Sequence, residues 1–294
     1  MISNNFILNG FDRCGSSAIS RILATHPQIE LIFHPFNSGS IRRKMNQITT
    51  VASASKEDHH FFSELESGRF ERDYIESPWF EKYSSVLEFV PGKIHLMKTT
   101  INHLSIRWIQ KEFPAIEFWG IWRDPMDILA SLIRNDFYDK WFQDALPQLM
   151  PTISENSRDF PEAYENVPTL LSGDVRIMAF IIAIRSYFFF RHLHADKLIN
   201  YELFKSDPIT ELNKITRYFG LSEHQFNVNF KEDLNAIGKR FKNGNNYRHL
   251  IPKSDFGFIR ELFMPLYDLM GSRFGKGAWQ NEITNMDKAT VSYD

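Results

Sequence analysis

Short apolar runs recur along this chain, with amphipathic stretches between them. FILNG (6–10), IELIF (29–33), KIHLMK (93–98), IEFWGIW (116–122) and KLINY (197–201) have the length and bounding residues of strands. Apolar spacing of helical period predicts helices over 16–25, 102–112, 126–135, 174–194, 208–219 and 256–271. Strands alternating with helices predict an α/β fold whose central, mainly parallel sheet is flanked by helices. Ligands of such sheets gather beyond the carboxyl ends of the strands. The segments FDRCGSS, HPFNSG, KTT and RDP all emerge there.

Two stretches break the rhythm. Residues 49–92 are mixed and polar, and residues 136–173 are rich in aromatics, Pro and Asn. Both are expected to be helical insertions forming a lid over the site, since long insertions are often functional. The most apolar run, VRIMAFIIAIRSYFFFRHL (175–193), carries Arg176, Arg185 and Arg191, which makes it a core helix rather than an integral membrane segment. With 294 residues the chain has room for one large domain or two small ones. The rhythm favours one domain over 1–275, followed by a polar tail over 276–294. A formal net charge of −2 gives no general attraction to nucleic acid or acidic membranes, so any bound anion must be held by a local pocket. The lone Cys14 forms no internal disulfide, and the first residues show no basic segment leading into an apolar one. A soluble, cytoplasmic protein is expected.

The chemistry begins in GFDRCGSS (10–17), between the first strand and the first helix. A helix N-terminus offers unpaired N–H donors and a positive dipole end, both suited to an anion. Nucleotide-triphosphatase loops need GxxxxGK[ST], and this loop has no such Gly-Lys pair. It offers Arg13 as a forked permanent charge, Gly15 for close backbone approach, and Ser16 and Ser17 as hydroxyl donors. The plain alternative is a strand-to-helix turn with Ser as its N-cap. A second segment, IEFWGIWRDPMDILASLIR (116–134), ends a strand at Arg123 and opens a helix at Asp124-Pro125. It places Ser131 eight residues after Arg123, about two turns into that helix.

Together these segments resemble the sulfotransferases that use 3′-phosphoadenosine 5′-phosphosulfate (PAPS), nearer the bacterial and carbohydrate-type branch. The resemblance spans roughly residues 5–221, apart from the two insertions, and implies a nucleotide-kinase-like, P-loop-like fold. It implies that Arg13, Cys14, Gly15, Ser16 and Ser17 hold the 5′-phosphosulfate and that Arg123 and Ser131 hold the 3′-phosphate. KLINYELFKSDPITELNKITRYFGL (197–221) is similar to the family's strand ending in Tyr-Glu, which implies that Tyr201 lies near the adenine; a buried strand-end Tyr is its plain alternative. The basic, glycine-punctuated GKRFKNGNNYRHL (238–250) offers Arg240, Lys242, Asn243 and Gly244 to wrap the 3′-phosphate, against the alternative of a solvated loop. Cys14 replaces the family's usual Ser or Thr; its thiol is a poor donor, but its backbone N–H still serves.

Sulfuryl transfer loads charge onto the bridging oxygen of the leaving phosphate, where cations and N–H donors lower the barrier. Lys98 of KIHLMKTTINHL (93–104) matches the Lys that steadies that oxygen in the cytosolic branch, while Thr100 occupies the place of that branch's His. Thr100 cannot act as a general base, so the role shifts to His34, at the end of the second strand, with Glu30 as a rival. Lys98 has a snorkelling strand-end alternative, and His34 that of a backbone-bonded strand-end His. His59 and His60 are expected at the surface. No cluster has metal-ligand spacing, and no metal is expected. The donor is expected to be PAPS, leaving 3′-phosphoadenosine 5′-phosphate (PAP). The acceptor is expected to be a hydroxyl or amine of a small molecule, lipid or saccharide. A nucleotide kinase with a degenerate loop, or a binding protein that has lost catalysis, are the alternatives.

Overall fold

A computed structural model of the chain describes residues 5–35, 49–50, 53–70, 81–82, 84–86, 88–136, 142, 145–165, 167–226 and 247–275. Arg240, Lys242, Asn243, Gly244 and the tail over 276–294 lie outside the described residues.

Strands β1 (Asn5–Asn9), β2 (Ile29–Phe33), β3 (Ile94–Thr99), β4 (Glu117–Trp122) and β5 (Leu198–Asn200) form one sheet in the order β2-β3-β1-β4-β5. Every neighbouring pair is parallel, with Asn9 opposite both Thr99 and Gly120 and Phe33 opposite Lys98. β1 and β3 are buried at every residue. Strands of a parallel sheet are covered on both faces, so burial along them does not alternate. Two polar side chains inside them have backbone partners: Asn5 Nδ2 donates to Leu65 O at 2.6 Å, and His95 Nε2 accepts from Val90 N–H at 3.1 Å.

The connecting helices are α1 (Ser16–Leu23), α2 (Lys56–Glu66), α3 (Ile106–Glu112), α4 (Pro125–Arg134), α5 (Ala145–Glu155), α6 (Asp174–His192), α7 (Tyr201–Ser206), α8 (Pro208–Tyr218) and α9 (Lys253–Phe274). Their starts follow local chemistry. Ser55 and Asp58 form a capping box on α2, and Asp124 caps α4 with Pro125 at its first position. α3 starts at 106 rather than 102, because Asn102 is engaged in the preceding turn. There its side-chain Oδ1 accepts from the Thr99 hydroxyl at 2.8 Å and its N–H donates to Asn9 Oδ1 at 3.3 Å.

α6 is the core helix that its composition predicts. Residues 178–186 and 188–190 are buried, and α9 packs along it. Each of Phe180, Phe188 and Phe189 contributes roughly 1.5–3 kcal/mol by leaving water. No helix among the described residues is long and apolar enough to cross a membrane.

The described parts of the two insertions differ in placement. α2 buries Phe61, Phe62 and Leu65 in the core, with Leu65 O beside the start of β1 and so at the edge opposite the strand carboxyl ends. Phe142, from the second insertion, is buried against Phe11 in the loop after β1, with ring centroids 6.4 Å apart.

Candidate active site

The turn between β1 and α1 is built on two left-handed residues, Arg13 at φ 71° and Gly15 at φ 92°. Gly15, not Ser16, is the N-cap of α1, and no side chain caps that end. Ala18 N–H is taken by Gly15 O at 3.1 Å, and no side-chain oxygen caps the turn before it, which leaves that end able to face an anion. Gly15 has a second constraint. A Cβ there would lie 2.2 Å from Tyr201 Cε2, so only glycine lets the loop pass under that ring. Ser16 is buried and Ser17 half-buried. Cys14 is fully buried, and burial raises its thiol pKa, which suits packing rather than nucleophilic attack.

Arg123 leaves the end of β4, the strand beside β1, and reaches across to this loop. Its Nη1 donates to Arg13 O at 2.6 Å. Arg13 in turn donates through Nε to Ser131 Oγ at 3.2 Å. Loop, strand-end arginine and helical serine thus form one connected unit from segments more than a hundred residues apart. Arg123 Nε is buried without a hydrogen-bond partner among the described residues. The Arg123 guanidinium also lies 5.0 Å from the Tyr201 ring centroid, a cation–π contact. Tyr201 opens α7 rather than ending β5, because Asn200 turns the chain by accepting from Glu202 N–H and Leu203 N–H.

On the other side of β1, Lys98 and His34 come together. Lys98 is 2% exposed, and its Nζ lies 2.5 Å from His34 Nε2. His34 sits at φ 51°, with its N–H donating to Lys98 O at 2.8 Å. Burial lowers the Lys98 pKa to about 8, although the Asp12 carboxylate opposes the shift. Glu30 is excluded from this cluster: it lies opposite His95, four residues back along β2, and pairs with Lys93 at 3.8 Å. His59 is half-buried, edge-on to Trp108, and His60 is exposed.

The order across the sheet edge is therefore His34, Lys98, the loop over 13–17, Arg123 with Ser131, and Tyr201. Five strands at about 4.8 Å spacing make this row about 19 Å long. The model of the sulfotransferase family matches residues 6–178 of the chain. The chain belongs to the sulfotransferase family.

Solved structures similar to this sulfotransferase include three bacterial ones. A sulfotransferase from Alicyclobacillus acidocaldarius is 15% identical, with 94% of this chain and 98% of that one covered and a TM-score of 0.43. STF9 from Mycobacterium avium is 12% identical (91% and 77% covered, TM-score 0.46), and STF1 from Mycobacterium tuberculosis H37Rv is 14% identical (90% and 77% covered, TM-score 0.42). No curated protein matches the chain.

Two groups in this sulfotransferase escape sequence reasoning. Behind the loop, Arg185 of α6 is 2% exposed; its Nη2 donates to Thr100 O at 2.6 Å and lies 3.2 Å from His103 Nδ1. Burial lowers the Arg185 pKa to about 10, with Asp12 opposing. Burial and then the Arg185 charge push His103 well below the usual imidazole range, so it stays neutral. Beside Arg123, the buried Asp124 accepts from Tyr267 Oη–H at 3.0 Å and is ion-paired with Arg248 at 3.0 Å. The charges within 175–193 and the basic character of 238–250 were visible signals, but their partners were not.

Proposed function

We propose that this sulfotransferase moves a sulfuryl group from PAPS to a hydroxyl or amine of a small-molecule, lipid or saccharide acceptor. The observation that carries the reading is the linked unit of Arg123, the Arg13 carbonyl, the Arg13 guanidinium and Ser131, beside an uncapped helix N-terminus. Two anion-binding positions on adjacent strand ends suit a nucleotide phosphorylated at both its 5′ and 3′ positions. The residues fit such a ligand in a second respect. Arg123 Nε is a buried donor with no acceptor among the described residues, a cost that a phosphate oxygen would remove.

Bound donor would supply an activated sulfuryl group. Every other requirement falls to the chain. The N–H groups at 15–17, with Ser16 and Ser17, hold the 5′ anion, and Arg13 adds charge next to them. Arg123 and Ser131 orient the 3′-phosphate, and the Tyr201 ring offers a face to the adenine. His34 accepts the proton of the acceptor hydroxyl as the new S–O bond forms. Lys98 takes up the charge left on the phosphate oxygen as the old S–O bond breaks. The His34–Lys98 contact gives this division of labour a physical basis. Lys98 Nζ faces His34 Nε2; in the proposed reaction the ammonium holds the imidazole lone pair until an anion draws it away, which frees the imidazole to act as a base.

The test is transfer of labelled sulfate from PAPS to a panel of hydroxyl and amine acceptors. His34→Ala is expected to lower turnover at least about a hundredfold while leaving PAP affinity nearly unchanged. Full turnover in that variant would remove His34 from the base role. PAP binding with no transfer to any acceptor would favour a binding protein that has lost catalysis.

A further inference from the structure

Asp124 presents a problem that helix capping does not solve. Its Oδ1 accepts from Met126 N–H at 2.7 Å, which caps α4. A neutral Asn or Ser would do the same without burying a charge. Yet Asp124 is 0% exposed, and an ionised carboxylate out of water is costly unless it is fully paired. Two groups from the far end of the chain answer its charge, Tyr267 by a hydrogen bond and Arg248 by an ion pair. Tyr267 of α9 donates its hydroxyl to Oδ1 at 3.0 Å, and Arg248 Nη2 faces Oδ2 at 3.0 Å. Arg248 Nε also donates to Asp127 Oδ1 at 2.8 Å, so one guanidinium bridges two carboxylates across the first turn of α4. Burial opposes the charge on Arg248, but Asp124 and Asp127 more than offset it and raise its pKa.

The residue next to Asp124 is Arg123, and Ser131 lies two turns along the helix that Asp124 starts. We infer that Arg248 and Tyr267 are positioning residues: through the buried Asp124 carboxylate they fix the β4–α4 turn, and so set Arg123 and Ser131 to take a phosphate monoester. The inference rests on the donor-site reading above and deepens it. It makes recognition of the 3′-phosphate depend on a clamp from residues more than 120 positions away.

Calorimetry of PAP and of adenosine 5′-monophosphate separates this role from plain stabilisation. The intact chain is expected to prefer PAP. Arg248→Met and Asp124→Asn are each expected to cut that preference about tenfold, as loss of an orienting partner commonly does, while monophosphate affinity stays within about twofold. The double variant should lose no more than either single one, because both changes break one unit. Arg248→Lys should recover part of the preference, since a point charge replaces the charge but not the fork. Asn keeps the cap and the volume, so Asp124→Asn decides the matter if Arg248→Met does not fold. Unchanged preference in Asp124→Asn overturns the inference alone. So does tighter PAP binding in that variant, which would make Arg248 a direct phosphate ligand that Asp124 restrains. No preference for PAP in the intact chain overturns the donor-site reading, and the inference with it.

Discussion

Single side chains carry the titration behaviour of this site, and Lys98 carries most of it. Its pKa is about 8 in the fold, against 10.5 for an ordinary lysine, with burial as the leading cause. Between those two values the unfolded chain holds a proton that the folded chain has released, so Lys98 makes stability rise as pH climbs from about 8 towards 10.5. The catalytic role proposed for it runs the other way, because a neutral amine cannot steady a leaving oxyanion. Activity is therefore expected to fall above pH of about 8 in kcat/KM. The corresponding limb of kcat should lie higher, since a bound anion restores the ammonium. Urea titrations at both ends of that window should show a gain of roughly 2 kcal/mol that Lys98→Met abolishes. A variant with the same pH dependence as the intact chain would contradict the assignment. The pairing of Lys98 with His34 could not be read from the sequence, because 64 residues separate them and only the β2–β3 register brings them together. The Arg123-to-Ser131 spacing was legible, because both residues lie on one short segment whose strand and helix follow from local pattern.

Elements explain why the loop works as it does. The sequence points to a turn after β1, since a cation, a glycine and two hydroxyls sit between an apolar strand and a helix. It did not reveal that Gly15 supplies the cap, because Ser-Ser at a helix start is the ordinary capping signal. The deciding pressure comes from α7, whose Tyr201 ring lies where a side chain at position 15 would go. Gly15→Ala is expected to lower stability by about 2 kcal/mol or more, from the left-handed backbone and the ring contact together, and to abolish PAP binding. Adding Tyr201→Ala should relieve the contact but not the backbone cost, so partial recovery is the expected outcome in denaturant unfolding. An alanine variant as stable as the parent would mean that the loop rearranges freely. β5 starts at Leu198 and stops before Tyr201, one residue inside its apolar run at each end; Asn200 sets the second boundary by capping the next helix, and a single polar residue in an apolar run gives no warning of that. The insertions were legible only as departures from periodicity. Whether a stretch joins the core, as α2 does, or meets the loop, as Phe142 does, depends on contacts that no local pattern encodes.

At the scale of the whole molecule, a chain of net charge −2 gathers Arg13, Lys98, Arg123 and Arg185 along or behind one sheet edge, with the half-buried Asp12 acting on Lys98 and Arg185. The fold alternation that the sequence announced makes this possible, because parallel strands deliver all their carboxyl ends to one side. The family match over residues 6–178 assigns the chain to the sulfotransferases, while Tyr201, Arg248 and Tyr267 lie beyond it. In the proposed function the ends of β1 and β4 converge on the two phosphate groups of one nucleotide. Calorimetry of the intact chain with PAP and with its 3′-dephosphorylated counterpart tests this most directly, with Arg123→Ala and Ser131→Ala measured alongside. PAP should bind more tightly than the monophosphate. Each substitution should weaken PAP binding by about 2 kcal/mol and leave the monophosphate almost untouched. Equal affinity for the two nucleotides, or equal losses for both in the variants, would contradict the account.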